Sequence, residues 1–488
     1  MPRTLPPAAR WLLCVLFATG TVAQAADTPP SVDRALQGLQ TPVEATHWLE
    51  AGPATAGTDG ISAAWWEQFK DADLTHLVTK ALSANADVRQ ARASLAQALA
   101  QQRASEAGQQ LQIGTTGSAS RQRSGGVNSN QVKGVLSASW SPDVNGTQAA
   151  ELDRVAALVT AAQASVASTE LRVAAEVTAN YLQWRDTQAR LALTERSLRS
   201  FEETQVLTQW RAQAGLANGL DVDTAALNTA QTRASLAPLR TQLAQYEHQL
   251  ALLGGLTPLQ LHGSLAVDPA LQIPAAALNG LSAGVPADLL RRRPDVAAAQ
   301  ANLLAQWAAT EGTRRAARPS VSLTGSIGWQ AATLAGLGQP GSAVASLLGA
   351  VSWTLWDNGE RQALIDRDDA ALNVQRAAFD ATLLSAVTDV EDRLVGLQQQ
   401  RLRLPALEQA AQSADAVWQA TKHRQAAGLT DVTALLVAQR NALSAWLSLQ
   451  SARTDLLLAL TATWRALGGG WAGVNGSGAS APVGAPAT

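Results

Sequence analysis

The 488-residue chain has few of the residue types that catalysis and crosslinking require. Its single cysteine, Cys14, lies in an N-terminal segment that we expect to be removed, which would leave no disulfide and no cysteine-based metal site. The five histidines show no metal-ligand spacing, and no G-x-S-x-G motif of a serine hydrolase is present. The sequence therefore predicts a protein that is not an enzyme and that has no cofactor and no metal.

A strong charge of either sign and a long apolar run are also absent. The formal net charge is -2, which excludes the basic surface that nucleic acid requires. The nearest candidate for a membrane helix, at 331–356, is interrupted by Gly336, Pro340 and two further glycines. If the chain spans a membrane, we therefore expect a closed β-barrel, which also satisfies every backbone group in lipid.

The first 25 residues have the features of a secretory signal peptide. Two arginines precede a short apolar core at 11–17, and the sequence AQA at 23–25 matches a cleavage site. Acylation of Cys14, as in a bacterial lipoprotein, is disfavoured because Leu13 stands where a small residue is needed. The sequence therefore predicts an exported chain whose mature part begins near Ala26.

One octet occurs twice, as SWSPDVNG at 139–146 and as SWTLWDNG at 352–359, with an offset of 213 residues. At this offset further residues match without a gap, up to the glycines near the end of each half. The matched pairs include Trp140 and Trp353, Asp153 and Asp366, Arg154 and Arg367, Asn228 and Asn441, and Gly255 and Gly468. Because the offset far exceeds the period of a solenoid or propeller, it indicates a duplicated domain with pseudo-twofold symmetry.

A stretch typical of a very long helix follows each octet. Residues 147–214 contain no glycine or proline, and apolar residues recur at spacings of three and four. Such a helix is about 100 Å long at roughly 1.5 Å per residue. The second copy, at 360–427, has the same length, with Gly396 and Pro405 as candidate positions for a bend.

Each long helix ends at a glycine, Gly215 or Gly428, the residue type that commonly follows a helix C-terminus. Further helices are predicted at 221–253 and 431–467, where the chain returns along the first helix. Each half therefore contains an αα-hairpin of the coiled-coil type.

Two segments with the pattern of strands precede each helical hairpin. The pattern is clearest at 321–329, where Val, Leu and Ile alternate with small polar residues, and each segment has about the ten residues of a tilted membrane strand. The loop at 336–341 matches G-x-G-x-x-G, but Pro340 and the lack of a βαβ context exclude nucleotide binding there. Four strands cannot close a barrel with a lumen, so we expect the chain to oligomerise.

Tryptophans at 329, 353 and 356 lie at the ends of these strands, where an interfacial aromatic belt is expected. They give the strand segments a second feature of membrane strands.

Two motifs add to this organisation: WWEQFKD at 65–71 and the more specific LLRRRPDV at 289–296. Together with the duplicated strand and helix hairpins, they resemble the TolC-type outer membrane efflux family, in particular its NodT-like branch. The resemblance covers about 64–467. It implies a mainly α fold with a membrane β part, in which a repeat of β-hairpin plus long αα-hairpin builds a trimeric 12-stranded β-barrel with an α-helical periplasmic tunnel.

The resemblance also implies a function. Members are outer membrane channels, the exit ducts of tripartite RND efflux systems, and conduct small molecules such as drugs passively. The implied partners are two further copies in a homotrimer, a periplasmic membrane-fusion adaptor, an inner-membrane pump and outer membrane lipid. The implied location is the outer membrane of a Gram-negative bacterium, extending into the periplasm. NodT-like members usually carry a lipidated N-terminal cysteine, which this sequence does not show.

The predicted division of the chain follows the duplication. It comprises a signal peptide at 1–25, an extended segment at 26–62, a first repeat at 63–255, a linker at 256–283, a second repeat at 284–468 and a disordered tail at 469–488. Within the repeats, strands are expected at about 109–142 and about 319–356, and helical hairpins at 147–253 and 360–467.

The resemblance implies a periplasmic gate at the tips of the helical hairpins. The candidates are Asp431 and Thr430 in the second repeat and Asn218 and Asp221 in the first. Threefold symmetry would bring three Asp431 carboxylates near one axis, where like charges favour a bound cation. The alternative is that Asp431 caps the returning helix, and the two roles are compatible.

The octets are interpreted as the turns between the last strand of each repeat and its long helix. Asn145-Gly146 and Asn358-Gly359 are residue types that turns use. The two turns need not have the same shape, because Pro142 stands in the first octet where the second has Leu355.

The RRRPD segment at 291–295 is interpreted structurally. Pro294 and Asp295 suit the first turn of a helix, and the arginines are expected to be surface charges or members of ion pairs.

Two other functions stay open at this point. The duct of a type I secretion system would have the same fold with a protein cargo, and operon neighbours would distinguish it. A soluble periplasmic coiled-coil scaffold would be a monomer or dimer that is absent from the outer membrane.

Overall fold

The computed structural model describes residues 64–263, 265, 273–274 and 292–469. The predicted signal peptide, the segment at 26–62, most of the linker and all but the first residue of the tail lie outside these described residues. The described chain is mainly helical, with one antiparallel sheet, as the predicted fold class requires.

The elements are, in chain order, a 3₁₀ turn Trp65–Phe69, α1 Ala72–Ala84, α2 Ala86–Gly108, β1 Gln112–Ser124, β2 Val127–Trp140, α3 Thr147–Gln213, α4 Gly219–Ala234, α5 Leu236–Leu253, α6 Pro258–Leu261, α7 Pro294–Ala316, β3 Ser320–Ala331, a 3₁₀ turn Leu334–Gly336, β4 Ala343–Ser352, α8 Glu360–Ala426 and α9 Val432–Ala466.

The two repeats have the same order of elements: a helix, a strand hairpin, a long helix and a returning helical segment. The long helices α3 and α8 are each 67 residues in length, which corresponds to about 100 Å. Helix α8 continues through Gly396 and Pro405. No described helix combines the length and the low charge of a membrane-spanning segment.

The returning segments of the two repeats differ. The sequence predicted one helix at 221–253, but the structure divides it at Ser235 into α4 and α5. Pro238 follows three residues later and has no N–H with which to donate to the carbonyl of Ala234, so the helical hydrogen bonds are interrupted there. The equivalent position in the second repeat is Ser451, and α9 is continuous.

The four strands form one sheet in the order β1-β2-β3-β4, with every neighbouring pair antiparallel and in unbroken register. The turn between β1 and β2 consists of Gly125 and Gly126, with φ of 58° and 88°. Two consecutive positive φ values are those of a type I′ hairpin turn. Strand β2 pairs with β3 only from Val132 onward, so β1 and β2 extend beyond the end of β3.

The largest cluster of buried residues joins the start of the described chain to its end. Trp65 and Phe69 pack against Trp464 of α9, with ring centroids 5.3 and 5.7 Å apart. All three side chains are almost fully buried. The WWEQFKD motif is therefore part of the core, which holds α1 against the long helices.

Candidate functional site

The helical hairpins of both repeats turn with the same backbone geometry. Gly215 and Gly428 each have a φ of 72°. The N–H of Leu216 donates to the carbonyl of Arg211 at 2.7 Å, and that of Leu429 donates to the carbonyl of Arg424 at 2.8 Å. These are Schellman motifs, which satisfy carbonyls that a helix end leaves free. Both turns thus use a left-handed residue, for which glycine is suited.

The residues that cap the two returning helices occupy equivalent positions but differ in charge. The N–H of Asp221 donates to Asn218 Oδ1 at 2.8 Å, and the N–H of Ala434 donates to Asp431 Oδ1, also at 2.8 Å. In the first repeat, Asp221 completes a capping box by accepting the N–H of Asn218 at 3.2 Å. Asparagine and aspartate cap about equally well. The negative charge of Asp431 is therefore not needed for the cap.

The tips of the two repeats lie against each other. The hydroxyl of Thr433 donates to Asp221 Oδ1 at 3.5 Å. A small buried cluster beneath this contact consists of Phe201 of α3, Ala225 of α4, and Val432 and Leu436 of α9. The structure thus brings the predicted gate residues of both repeats to one end of the helices, with Asp431 exposed and Thr430 half-buried.

The strand-to-helix turn of the first repeat is tied to the second repeat. Gly146 has a φ of 75° and directly precedes α3. Arg315 Nη1 donates to the carbonyl of Gly146 at 3.0 Å, and Asn145 Nδ2 donates to the carbonyl of Pro319 at 2.7 Å. These bonds fix the turn beside the junction of α7 and β3.

The turn of the second repeat has a different backbone conformation. Both Asn358 and Gly359 have positive φ, of 53° and 87°. Arg361 of α8 braces this turn, because Nη1 donates to the carbonyl of Ala317 at 3.0 Å and Nη2 to that of Thr354 at 2.6 Å. Asn-Gly is thus used in both repeats, but with two left-handed residues in only one of them.

The RRRPD segment begins α7 with Pro294, and Asp295 lies in the first turn. Arg291 lies outside the described residues. Arg293 is not a surface charge, since its side chain is only 11% exposed.

Arg293 links three helices. It donates to Asp295 at 2.8 Å, to Asp389 of α8 at 3.2 Å, and to the carbonyl of Ala466 at the end of α9 at 2.8 Å. Burial by itself raises the pKa of Asp295, but the hydrogen bond and the charge of Arg293 outweigh it and hold this pKa below the usual carboxyl value. A cleft of about 240 Å³ beside this group is lined by α3, α7, α8 and α9.

Sequence reasoning missed a second buried polar group. Asp71, the last residue of WWEQFKD, caps α1 by accepting the N–H of Leu74 at 3.0 Å. Its other oxygen accepts the hydroxyl of Tyr181 at 2.8 Å and lies 3.4 Å from Arg185 Nη2. Burial, the hydrogen bond and the charge of Asp71 raise the pKa of Tyr181 above its usual value. The only available signal was the spacing of Asp71 and Leu74, which is that of an N-cap.

The register of the sheet separates an apolar face from a polar one, since successive side chains of a strand point to opposite faces. The apolar face carries Ile113, Val132, Leu136, Trp140, Val321, Leu323, Ile327, Trp329, Leu347 and Val351, with Thr115, Arg121, Arg123, Asn128 and Asn130 as polar exceptions. The opposite face carries Gln112, Thr116, Ser118, Ser120, Gln131, Lys133, Ser137, Ser139, Ser322, Thr324, Ser326 and Ser346, with Val135, Val344 and Leu348 as apolar exceptions.

The apolar face is open within a single chain. Ile327 is 62% exposed and Leu347 is 78% exposed. On the polar face the hydroxyls of Ser326 and Ser346 lie 2.7 Å apart across β3 and β4. Sheets in water normally bury their apolar face and expose the polar one. This sheet therefore has the two faces that a membrane strand presents to lipid and to a lumen.

A metal site was not expected from the sequence. Within the part of the chain that the structure describes, no three His, Cys, Asp or Glu side chains are placed to hold an ion together.

The family model of the outer membrane efflux proteins matches residues 77–256 and 285–469, which is well over half of the chain. The chain belongs to the outer membrane efflux protein family. Both matched segments carry one helical hairpin each, and the second includes Arg293 and Asp431. The outer membrane location predicted from the sequence agrees with this family.

Two relatives of this efflux protein extend over nearly the whole chain. It is 30% identical over 443 residues to the outer membrane protein OprJ of Pseudomonas aeruginosa, covering 88% of this chain and 90% of the relative. It is 29% identical over 458 residues to the antibiotic efflux pump outer membrane protein ArpC of Pseudomonas putida, covering 89% and 91%.

Solved structures give the same fold. The outer-membrane channel OprN superimposes with a TM-score of 0.79 at 28% identity, covering 91% of this chain and 99% of that one. The outer membrane protein VceC of Vibrio cholerae superimposes with a TM-score of 0.78 at 22% identity, covering 84% and 100%. The predicted fold class of the efflux protein, that of outer-membrane channels with long helices and a strand part, is confirmed.

Proposed function

We propose that three copies of this efflux protein form the exit duct of a tripartite efflux system. The duct carries small molecules passively across the outer membrane, and an inner-membrane pump and a periplasmic adaptor supply the energy and deliver the cargo. The two-faced sheet is the observation that carries this proposal.

The sheet supports assembly into a closed barrel. Strands β1 and β4 lie at its two edges, and an edge strand presents backbone N–H and C=O groups that lipid cannot satisfy. All ten residues of β4 are exposed in the single chain. Pairing β4 of one copy with β1 of the next removes both edges, and three copies give twelve strands. Such a barrel has the apolar face in lipid and the polar face around a lumen.

The long helices support the same assembly. Helix α8 exposes a series of apolar side chains, which a helix buries against a partner. They include Val374, Leu384, Leu402 and Val417. Contacts with the helices of a neighbouring copy would cover them and close a tunnel continuous with the barrel.

The hairpin tips are proposed as the periplasmic gate. Asp431 is exposed there, and its charge is additional to what its helix cap requires. Threefold symmetry gives a ring of three carboxylates, with Thr430 beside it and Asn218 and Asp221 in the facing repeat. Such a ring attracts cations and repels anions at the narrow end of the tunnel.

The remaining sequence-based assignments follow the same proposal. The signal peptide at 1–25 directs export, and the repeats at 63–255 and 284–468 each contribute one strand hairpin and one helical hairpin. The turns at Asn145-Gly146 and Asn358-Gly359 join the membrane strands to the tunnel. Relatives are named for antibiotic, toluene and solvent efflux, so antibiotics and small aromatic solvents are the proposed cargo.

Membrane fractionation after expression of the full-length chain in a Gram-negative host tests the duct. The expected result is an outer-membrane species that migrates as a trimer when unheated and as a monomer after heating. Reconstitution of that species in planar bilayers is expected to give channel conductance. A monomer found only in the soluble periplasmic fraction would contradict the strand assignment and the proposed function together.

A further inference from the structure

The charged side chains of the strand region are all basic. Segments 107–142 and 319–356, which contain the four strands, have no aspartate and no glutamate. Their basic residues are Arg121, Arg123 and Lys133, all in the first hairpin and all exposed. The sheet therefore offers these cations no carboxylate partner.

The register divides the three cations between the two faces. Arg121 lies opposite Asn130 and Arg123 opposite Asn128, on the same side as Ile113 and Ala119 of β1. Lys133 lies opposite Ser118, on the polar side. Two arginines thus belong to the face that meets lipid, and the lysine belongs to the lumen.

The two arginines lie just beyond the apolar band. The band ends at the row of Val132, which pairs with Ala119 of β1 and Ala331 of β3. Asn130, opposite Arg121, is two residues farther along β2, which is about 7 Å at roughly 3.3 Å per residue. Arginine side chains are long enough to extend back toward a membrane surface. This row is therefore at the level of lipid headgroups, at the end of the barrel away from the helices.

The local geometry provides several donors on one surface. Arg121 and Arg123 are two residues apart on one strand, about 7 Å, and the amides of Asn130 and Asn128 are directly opposite at about 5 Å. Guanidinium groups bind phosphate oxygens in a bidentate manner, and amide N–H groups add neutral donors.

We propose that Arg121 and Arg123, together with Asn128 and Asn130, form a binding site for the phosphate groups of outer-leaflet lipid headgroups. The site rests on the proposed function, because it takes the apolar face of the sheet as the lipid-facing one. Its ligand class is a phosphorylated lipid, which fits the acid-free, cationic surface next to the apolar band.

The test uses the full-length trimer and two defined probes: a bisphosphorylated lipid A and the same glycolipid without its phosphates. Binding is titrated by native mass spectrometry for the wild type, for the double variant Arg121→Gln/Arg123→Gln, and for Lys133→Gln. The lysine variant is the matched control, since it removes an exposed cation from the same hairpin on the other face.

The wild type is expected to prefer the phosphorylated glycolipid. Removing both arginines weakens its binding about 25-fold, because each basic residue at an anionic surface contributes about 1 kcal/mol. Lys133→Gln is expected to bind like the wild type.

Three outcomes would overturn the inference without affecting the proposed duct. They are wild-type binding by the double variant, a loss in Lys133→Gln as large as in the double variant, and equal binding of the two glycolipids by the wild type. A wild-type chain that is absent from the outer membrane would overturn the proposed function and this inference together.

Discussion

Asn85 and Arg293 donate equivalent hydrogen bonds in the two repeats with different side chains. Asn85 Nδ2 donates to the carbonyl of Leu253 at 3.0 Å, and Arg293 Nη1 donates to the carbonyl of Ala466 at 2.8 Å. Leu253 and Ala466 are 213 residues apart, the offset of the duplication, and each is the last residue of its helix. In both repeats, therefore, the residue that precedes the helix before the strands, α2 or α7, is hydrogen-bonded to the end of the returning helix.

The carboxylates around these two positions also correspond. Asp87 and Glu176 in the first repeat match Asp295 and Asp389 in the second. In the first repeat both carboxylates pair with Arg172, a residue of α3, whereas in the second they pair with Arg293. The two repeats thus have equivalent acidic residues, but the arginine that pairs with them lies at a different position in each. Only the guanidinium of Arg293 is buried.

Arg293→Gln is expected to destabilise the protein by about 1–3 kcal/mol, because it removes a buried charged donor from Asp295, from Asp389 and from a helix-end carbonyl, while Asp389 keeps Arg393 at 3.2 Å. Thermal unfolding of the purified protein, followed by circular dichroism, measures this. Arg403→Gln is the control: its pair with Asp455 at 3.1 Å is half-exposed and should contribute no more than about 1 kcal/mol. If both variants lost the same free energy of unfolding, the buried ion pairs of Arg293 would contribute no more than an exposed pair, and the prediction would be wrong.

The difference in stability between the wild type and Arg293→Gln is expected to become smaller as the pH is lowered into the acid range. The pKa of Asp295 is lowered in the folded chain, so its contribution is fully present above the usual carboxyl pKa of about 3.9. It is lost as the pH falls through the lower folded pKa. The two unfolding temperatures should therefore differ most above about pH 5 and converge at more acidic pH. A difference that grows on acidification would contradict the ion pair as its source.

Gly255→Ala and Gly468→Ala are expected to cost several kcal/mol each. Both glycines have positive φ, and an added Cβ would lie 2.8 Å from the carbonyl oxygen of Ala84 and 2.9 Å from that of Arg292 respectively. Gly215→Ala is the control, because its φ is also positive but a Cβ there meets nothing within 4 Å. That variant should lose only about 1–2 kcal/mol for the left-handed conformation. Unfolding temperatures that are alike for all three would exclude the close backbone approach as the cause.

Ile327→Lys is expected to impair assembly in the membrane, and Thr324→Lys is not. The two positions are three residues apart on β3 and lie on opposite faces of the sheet. A lysine that faces lipid near the middle of the bilayer costs about 2–4 kcal/mol, whereas one that faces a lumen is solvated. The yield of heat-modifiable trimer in the outer membrane compares them. A greater loss in Thr324→Lys would reverse the assignment of the two faces.

Asp431→Asn is expected to lower the preference of the reconstituted channel for cations severalfold while changing stability by less than about 0.5 kcal/mol. Asparagine keeps the cap, as Asn218 does at the equivalent position, but removes the charge from the proposed ring of carboxylates. Reversal potentials in a salt gradient measure the preference. Asp431→Ala removes the cap as well and is expected to raise the leak current. Ion selectivity that is the same in Asp431→Asn and the wild type would exclude Asp431 from the gate.

The sequence by itself determined the duplicated order of elements, the long helices and the strand pairs. Helix α3 and helix α8 could be located because a spacing of three and four over many residues is a local property of the chain. The same holds for the Schellman glycines and for Asp431, whose capping role depends on residues within one helical turn.

Only the tertiary structure decided which residues of distant segments meet. Arg293 lies 173 positions from Ala466, and Asn145 lies 174 positions from Pro319, so no local pattern could pair them. The registers of β1 against β2 and of β2 against β3 likewise placed Arg121 on the apolar side of the sheet and Lys133 on the polar side, because a shift by one residue would exchange the faces. Local periodicity determines which segments form helices and strands. The contacts at the hairpin tips, the turns and the sheet depend on packing between segments that are far apart in the chain, and only the folded structure shows them.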